Sequence, residues 1–222
     1  MAEKRLKLLV FDWDGTLADS EFLIVNAMQS AIRELGLDRR NDGQIRNIIG
    51  LGLTEAATVL YPDLKEGDYA SLAGSYRRNY SATAKGKTTL FPDVRETLNI
   101  LQKQEYKMAI ATGKSRRGLD NSLQETGIGD FFNVTRCGDE AFSKPHPQML
   151  FDIMDTLDIE PGNTLMIGDS EYDLQMATSA GVVSIAVSYG TQSKERLLLH
   201  NPVFCLDRLS QLVEWLSCID RG

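Results

Sequence analysis

The chain has 222 residues, of which 42% are hydrophobic and 25% are charged, and these proportions exclude a fibrous or largely disordered protein. Its formal net charge of −7 argues against a nucleic-acid partner, because proteins that bind polyanions usually carry a basic surface. No apolar run approaches the roughly 18 residues that span a bilayer. We therefore expect a cytoplasmic protein without a membrane partner.

Five short apolar runs predict the strands of a parallel sheet that is buried on both faces. They occupy residues 7–12, 107–112, 131–136, 164–168 and 182–187. Between the runs, apolar residues recur at three- or four-residue steps, which is typical of helices. This alternation predicts an α/β fold with a doubly wound, Rossmann-like parallel sheet.

The segment 18–87 breaks the alternation, because it shows two helical patterns, at 22–35 and 69–80, and no convincing strand. Asp19 or Ser20 can cap the first of these helices. About 70 residues are too many for a loop inside a compact domain. We therefore predict a helical cap domain at 18–87, inserted into a discontinuous catalytic core formed by 1–17 and 88–222.

Aspartates follow two of the predicted strands. Asp12 and Asp14 come directly after the first run, and Asp169 and Asp173 come after the fourth. Ligands of open parallel sheets bind at the carboxyl ends of the strands, so these four residues are candidates for chemistry. Neighbouring carboxylates about 4 Å apart would repel by roughly 4 kcal/mol per pair. Such a cluster predicts a bound cation, and oxygen ligands favour Mg²⁺.

Two other strand ends predict a phosphate site. The second run ends in Thr112 and Gly113, which offer a hydroxyl group and a backbone that a ligand can approach closely, at the start of a helix. Lys144 lies between two strands, in a loop stiffened by Pro145 and Pro147. A lysine facing an acid cluster is better explained by function than by solvation.

These motifs, in this order, resemble those of the haloacid dehalogenase superfamily of phosphohydrolases, in the branch that contains phosphoglycolate phosphatase. The resemblance covers residues 8 to about 190, and the helical insertion resembles the cap of that branch. It implies Mg²⁺-dependent hydrolysis of a small-molecule phosphate ester, such as phosphoglycolate or a related sugar or metabolite phosphate. A monomer or a homodimer is expected.

The resemblance also implies a role for each site residue. Asp12 would be the nucleophile that becomes an aspartyl-phosphate, and Asp14 the general acid and base. Asp12, the backbone carbonyl of Asp14 and Asp169 would hold Mg²⁺. Asp173 would orient Lys144 or a water on the metal. The transferred phosphoryl group would be bound by Thr112, Gly113 and Lys144.

Three alternatives differ in chemistry. A haloacid dehalogenase is opposed by Asp14, because that reaction needs no proton relay to a leaving alcohol. A phosphomutase of the β-phosphoglucomutase type shares all the motifs, and a non-catalytic phosphate-binding protein is opposed by the intact Asp12 and Asp14. An amino-sugar phosphate or a nucleoside monophosphate is also compatible as substrate. Candidates for binding an anionic end of the substrate are Arg46, Arg77, Arg78, Lys114, Arg116 and Arg117.

Overall fold

The computed structural model of the chain describes residues 6–219. Within them, parallel strands form one six-stranded sheet in the order β3-β2-β1-β4-β5-β6. The strands are β1 (Leu8–Phe11), β2 (Lys107–Thr112), β3 (Val134–Cys137), β4 (Thr164–Gly168), β5 (Val183–Val187) and β6 (Phe204–Leu206). Because β1 pairs with both β2 and β4, the residues that follow these three strands meet at one edge of the sheet.

Helices cover both faces of the sheet, and the predicted fold class is confirmed. Leu9 and Phe11 of β1 pack into one buried apolar cluster, whereas Leu8 and Val10 pack into another on the opposite face. Burying each such side chain contributes roughly 1.5–3 kcal/mol. The helices are α1 (Glu21–Glu34), α2 (Asp42–Arg46), α3 (Leu53–Leu60), α4 (Glu66–Ala84), α5 (Val94–Lys103), α6 (Arg116–Thr126), α7 (Gln148–Leu157), α8 (Glu171–Ser179), α9 (Lys194–Leu198) and α10 (Gln211–Ile219).

The sheet differs from the sequence prediction at two places. The third strand begins at Val134 rather than at residue 131, because Gly129–Phe131 form a single 3₁₀ turn. Strand β6 was not predicted, since it has only three residues and its Phe204 is exposed. No helix within residues 6–219 is both long enough and apolar enough to cross a membrane.

Residues 18–87 contain α1 to α4 and a buried apolar cluster of their own. Met28 and Ile32 of α1 pack in this cluster with Leu72 of α4. Helices α2 and α3 were not predicted, although α2 carries a capping box between Asn41 and Gln44.

The two ends of this segment pair with each other where they leave the sheet. The Asp19 amide donates to the Thr89 carbonyl at 2.9 Å, and the Phe91 amide donates to the Leu17 carbonyl at 3.0 Å. The connection therefore enters and leaves the segment at one point.

Candidate active site

Three carboxylates lie together at the carboxyl edge of the sheet. Asp12 directly follows β1, Asp169 directly follows β4, and Asp173 lies in the first turn of α8. Each offers one oxygen within 4.8 Å of the other two, and each residue is at most 1% exposed. Strand order thus brings together acids that are more than 150 positions apart.

Lys144 lies between two of these acids, in the loop that joins β3 to α7. Its Nζ donates to Asp12 Oδ1 at 2.5 Å and to Asp173 Oδ1 at 2.6 Å, and its side chain is fully buried. Burial disfavours the ammonium form, but the charges of Asp12 and Asp173 outweigh that effect, so the pKa of Lys144 lies above its usual range. The lysine is therefore a fixed cation within the cluster.

Two of the clustered carboxyl groups also have shifted pKa values. Burial, followed by the nearby acids, raises the pKa of Asp12 well above its usual value, although Lys144 opposes the shift. Burial and the charge of Asp173 raise the pKa of Asp169 to about 6. Burial is the largest cause of both shifts, so the protonated form of each carboxyl group is favoured.

The residues present fit a divalent cation. Asp12 Oδ2 is buried and has no hydrogen-bond partner, whereas buried oxygens are usually paired. Asp169 packs directly against two glycines, since a Cβ at Gly15 would lie 2.2 Å from Asp169 Oδ2 and one at Gly190 would lie 2.3 Å from Asp169 Cβ. A hard cation held by carboxylate oxygens would supply the missing partner.

Asp169 is held by residues that the sequence analysis missed. The backbone amide and the hydroxyl of Thr191 donate to Asp169 Oδ2 at 2.7 and 2.6 Å, and the Thr16 hydroxyl donates to Oδ1 at 3.2 Å. Thr191 lies shortly after β5. The strand-end rule that found the aspartates, extended to the fifth strand, would have pointed to it.

Asp14 lies apart from the three clustered acids and makes different contacts. Its carboxylate accepts hydrogen bonds from the Ser20 hydroxyl at 2.6 Å and from Lys114 Nζ at 2.8 and 3.0 Å. Asp14 is 8% exposed. Asp12 and Asp14 thus contact different cations, Lys144 in the case of Asp12 and Lys114 in the case of Asp14.

The predicted phosphate-binding residues Thr112 and Gly113 lie at the end of β2, beside the end of β1. Thr112 is buried, and its Oγ1 accepts a hydrogen bond from the Lys114 amide at 3.1 Å. A Cβ at Gly113 would lie 2.3 Å from the Leu51 carbonyl oxygen. Glycine is needed here because a loop of the 18–87 segment packs directly against this backbone.

That loop lies over the predicted site. The Gly52 amide donates to the Ser143 hydroxyl at 2.7 Å, next to Lys144. The Tyr172 hydroxyl donates to the Asn47 carbonyl at 2.9 Å, and Arg196 donates to the Asn47 side chain at 2.8 Å. Residues 47–52 are thus tied to the loops and helices around the acid cluster.

The candidate anion-binding residues separate into three groups. Three of the arginines form ion pairs with glutamates, in the pairs Arg46–Glu21, Arg78–Glu34 and Arg116–Glu140. Arg77 and Arg117 are exposed. Lys114 is nearly buried, with 9% of its side chain exposed, and it contacts a predicted catalytic carboxylate.

A doubly wound sheet with a buried lysine and an acid cluster at its carboxyl edge defines an α/β protein with a candidate active site at the strand ends. The chain belongs to the haloacid dehalogenase-like hydrolase family, whose model matches residues 9–187. The predicted family and the predicted hydrolase class are thereby confirmed.

Similar proteins agree with this assignment. The chain is 32% identical to a phosphoglycolate phosphatase of Vibrio vulnificus, across 96% of this chain and 97% of the relative. It is 28% identical to the pyrophosphatase PpaX of Bacillus cereus, across 98% and 100%. A solved hydrolase structure from Pseudomonas syringae superposes with a TM-score of 0.88 across 96% and 99% of the two chains, and at 20% identity it supports the fold alone.

Proposed function

We propose that this protein is a Mg²⁺-dependent phosphatase that hydrolyses a small-molecule phosphomonoester through an aspartyl-phosphate on Asp12. The observation that carries the proposal is the state of the Asp12 carboxylate. One of its oxygens is bound by Lys144, and the other is buried without a hydrogen-bond partner. A carboxylate held in this way is available both to a cation and to an electrophilic phosphorus.

The reaction divides into two displacements. In the first, an Asp12 oxygen forms a bond to phosphorus as the ester P–O bond breaks, and Asp14, which enters this step protonated, gives its proton to the leaving alcohol. In the second, Asp14 removes a proton from water, which attacks phosphorus and releases phosphate while the Asp12 carboxylate is regenerated. Ser20 and Lys114, which bind the Asp14 oxygens, hold its carboxyl group in place.

Charge on the phosphoryl oxygens must be stabilised in both steps. Lys144 is the cation already present, and Asp173 fixes its position by a hydrogen bond of 2.6 Å. Thr112 and Gly113 are proposed to donate to the phosphoryl oxygens. Mg²⁺, held by Asp12, the backbone carbonyl of Asp14 and Asp169, would supply further positive charge.

The activities named for the similar proteins bear on the choice of substrate. Because the chain resembles a phosphoglycolate phosphatase over 96% of its length, phosphoglycolate or a related sugar or metabolite phosphate is the proposed substrate class. We further propose that residues 18–87 act as a cap domain that contacts the leaving group, and that the enzyme works in the cytoplasm.

The test is release of orthophosphate from a panel of phosphorylated metabolites, with and without EDTA. Turnover should require Mg²⁺, and peptide mass spectrometry after rapid acid quenching should locate phosphate on Asp12. A metal-independent rate, or phosphate trapped on another residue, would contradict the mechanism. An isomerised sugar phosphate in place of orthophosphate would identify a phosphomutase.

A further inference from the structure

The site contains a second buried lysine whose position differs from that of Lys144. Lys144 contacts Asp12 and Asp173, on the side where the phosphoryl group would be bound. Lys114 contacts Asp14, the proposed proton donor to the leaving oxygen, and Tyr80 of α4. In the proposed mechanism Lys144 therefore serves the phosphoryl group, whereas Lys114 lies beside the proton donor to the leaving oxygen.

One of the three contacts of Lys114 is weak enough for an incoming group to replace it. Its Nζ lies 2.8 and 3.0 Å from the two Asp14 oxygens, and these contacts account for two of its three N–H bonds. The third contact, to the Tyr80 hydroxyl, is longer at 3.3 Å, and Nζ also lies 4.9 Å from the centre of the Tyr80 ring. An anion placed between Lys114 and Tyr80 would accept a hydrogen bond from each.

The distance between Lys114 and the leaving oxygen bears on which anionic group can bind to Lys114. A leaving oxygen that is hydrogen-bonded to Asp14 lies within about 6 Å of Lys114 Nζ, because two hydrogen bonds of about 2.8 Å are joined through one carboxylate oxygen. An anionic oxygen about 2.8 Å from Nζ can then lie about 3 Å from the leaving oxygen, a separation that two or three covalent bonds span.

We propose that Lys114, with the Tyr80 hydroxyl, recognises a second anionic group of the substrate attached close to the leaving oxygen. This inference rests on the proposed function and narrows it to phosphomonoesters whose alcohol carries a neighbouring anion, such as a carboxylate. Tyr80 contributes from the 18–87 segment and Lys114 from the loop after β2, so the subsite forms where these two parts of the chain meet.

The test compares phosphoglycolate with its neutral amide, phosphoglycolamide, which has nearly the same shape. The wild-type protein should prefer the carboxylate by at least about 10-fold in kcat/KM, since a buried hydrogen bond to a charged group is worth about this factor. In Lys114→Met the ratio of the two kcat/KM values should fall by about 10- to 100-fold. The ratio is the readout because a fall in kcat/KM that is common to both substrates, such as one caused by displacement of Asp14, cancels in it.

Two further variants complete the design. Tyr80→Phe should lower the ratio by about 2- to 10-fold and leaves the charge of the site unchanged, so it tests the subsite even if Lys114→Met folds poorly. Lys87→Met makes the same Lys-to-Met change at an exposed position and should leave the ratio unchanged.

The outcomes separate this inference from the function on which it rests. Equal turnover of the two substrates by the wild-type protein, or equal losses on both in Lys114→Met, would overturn the subsite while phosphatase activity stood. Absence of phosphate release from every phosphomonoester would remove the proposed function and the subsite together.

Discussion

Replacing Lys144 by methionine removes the ammonium group that lies between Asp12 and Asp173. Three carboxylates whose oxygens approach within 4.8 Å repel by about 3 kcal/mol per pair at an effective dielectric constant near 20. The three pairs together amount to about 10 kcal/mol, which is comparable with the net stability of a whole domain. Protons or a cation must therefore take the place of the lysine in the variant.

We expect the free energy of unfolding of Lys144→Met in EDTA to fall by about 3–5 kcal/mol, because one partner of a buried ion pair is lost. Added Mg²⁺ should then stabilise the variant more than it stabilises the wild-type protein, since the cluster carries more uncompensated charge. Urea denaturation at neutral pH, with and without Mg²⁺, measures both effects. Lys87→Met, at an exposed position, is the matched control.

Two results would refute this reasoning. A loss below about 1 kcal/mol would show that Lys144 contributes no more than a surface ion pair does. Equal stabilisation of the variant and the wild-type protein by Mg²⁺ would show that the cation binds away from Asp12 and Asp173.

Three further predictions test the site. Asp12→Asn should lower kcat by at least about 10⁴-fold while far-ultraviolet circular dichroism stays unchanged, and substantial residual turnover would exclude Asp12 as the nucleophile. Burial raises the pKa of Asp169 to about 6 and so favours the protonated folded form. In metal-free protein, the free energy of unfolding of the wild type minus that of Asp169→Asn should therefore decrease by about 3 kcal/mol as the pH rises from about 4 to above 6. A flat difference in urea titrations would contradict the shift. Gly113→Ala should lower kcat/KM by about 10²-fold, because its Cβ would collide with the Leu51 carbonyl oxygen. Gly162→Ala, whose Cβ would have no atom within 4 Å, should leave kcat/KM unchanged. Similar kcat/KM values for the two variants would show that the loop contact is dispensable.

The fold was predictable where a pattern is local. The run Leu8–Phe11 is apolar at every position, and it forms a strand buried on both faces. Helix α2 escaped prediction because five residues give too short a sample of helical periodicity, although the Asn41 capping box is visible in the sequence. The division into a core and a cap domain stays a proposal.

The strand-end positions of Asp12 and Asp169 were predictable, but several contacts of the candidate site residues were not. The strand-end rule identified Asp12 and Asp169 because it depends only on where strands stop. The contact of Asp14 with Lys114 depends on packing between positions 100 apart, and no local pattern encodes it. Ser20 illustrates the same limit, since it precedes α1 as the predicted cap but gives its hydroxyl hydrogen bond to Asp14.

The shared junction at which the 18–87 segment leaves the sheet has a consequence for how such enzymes diversify. Leu17 and Phe91 are joined by a backbone hydrogen bond, so the intervening residues form an insertion with a single point of attachment to the sheet. A different insertion could be grafted there by recombination without altering the register of any strand. If the segment acts as the proposed cap domain, a new leaving group could be recognised without a change in the residues proposed to bind the phosphoryl group.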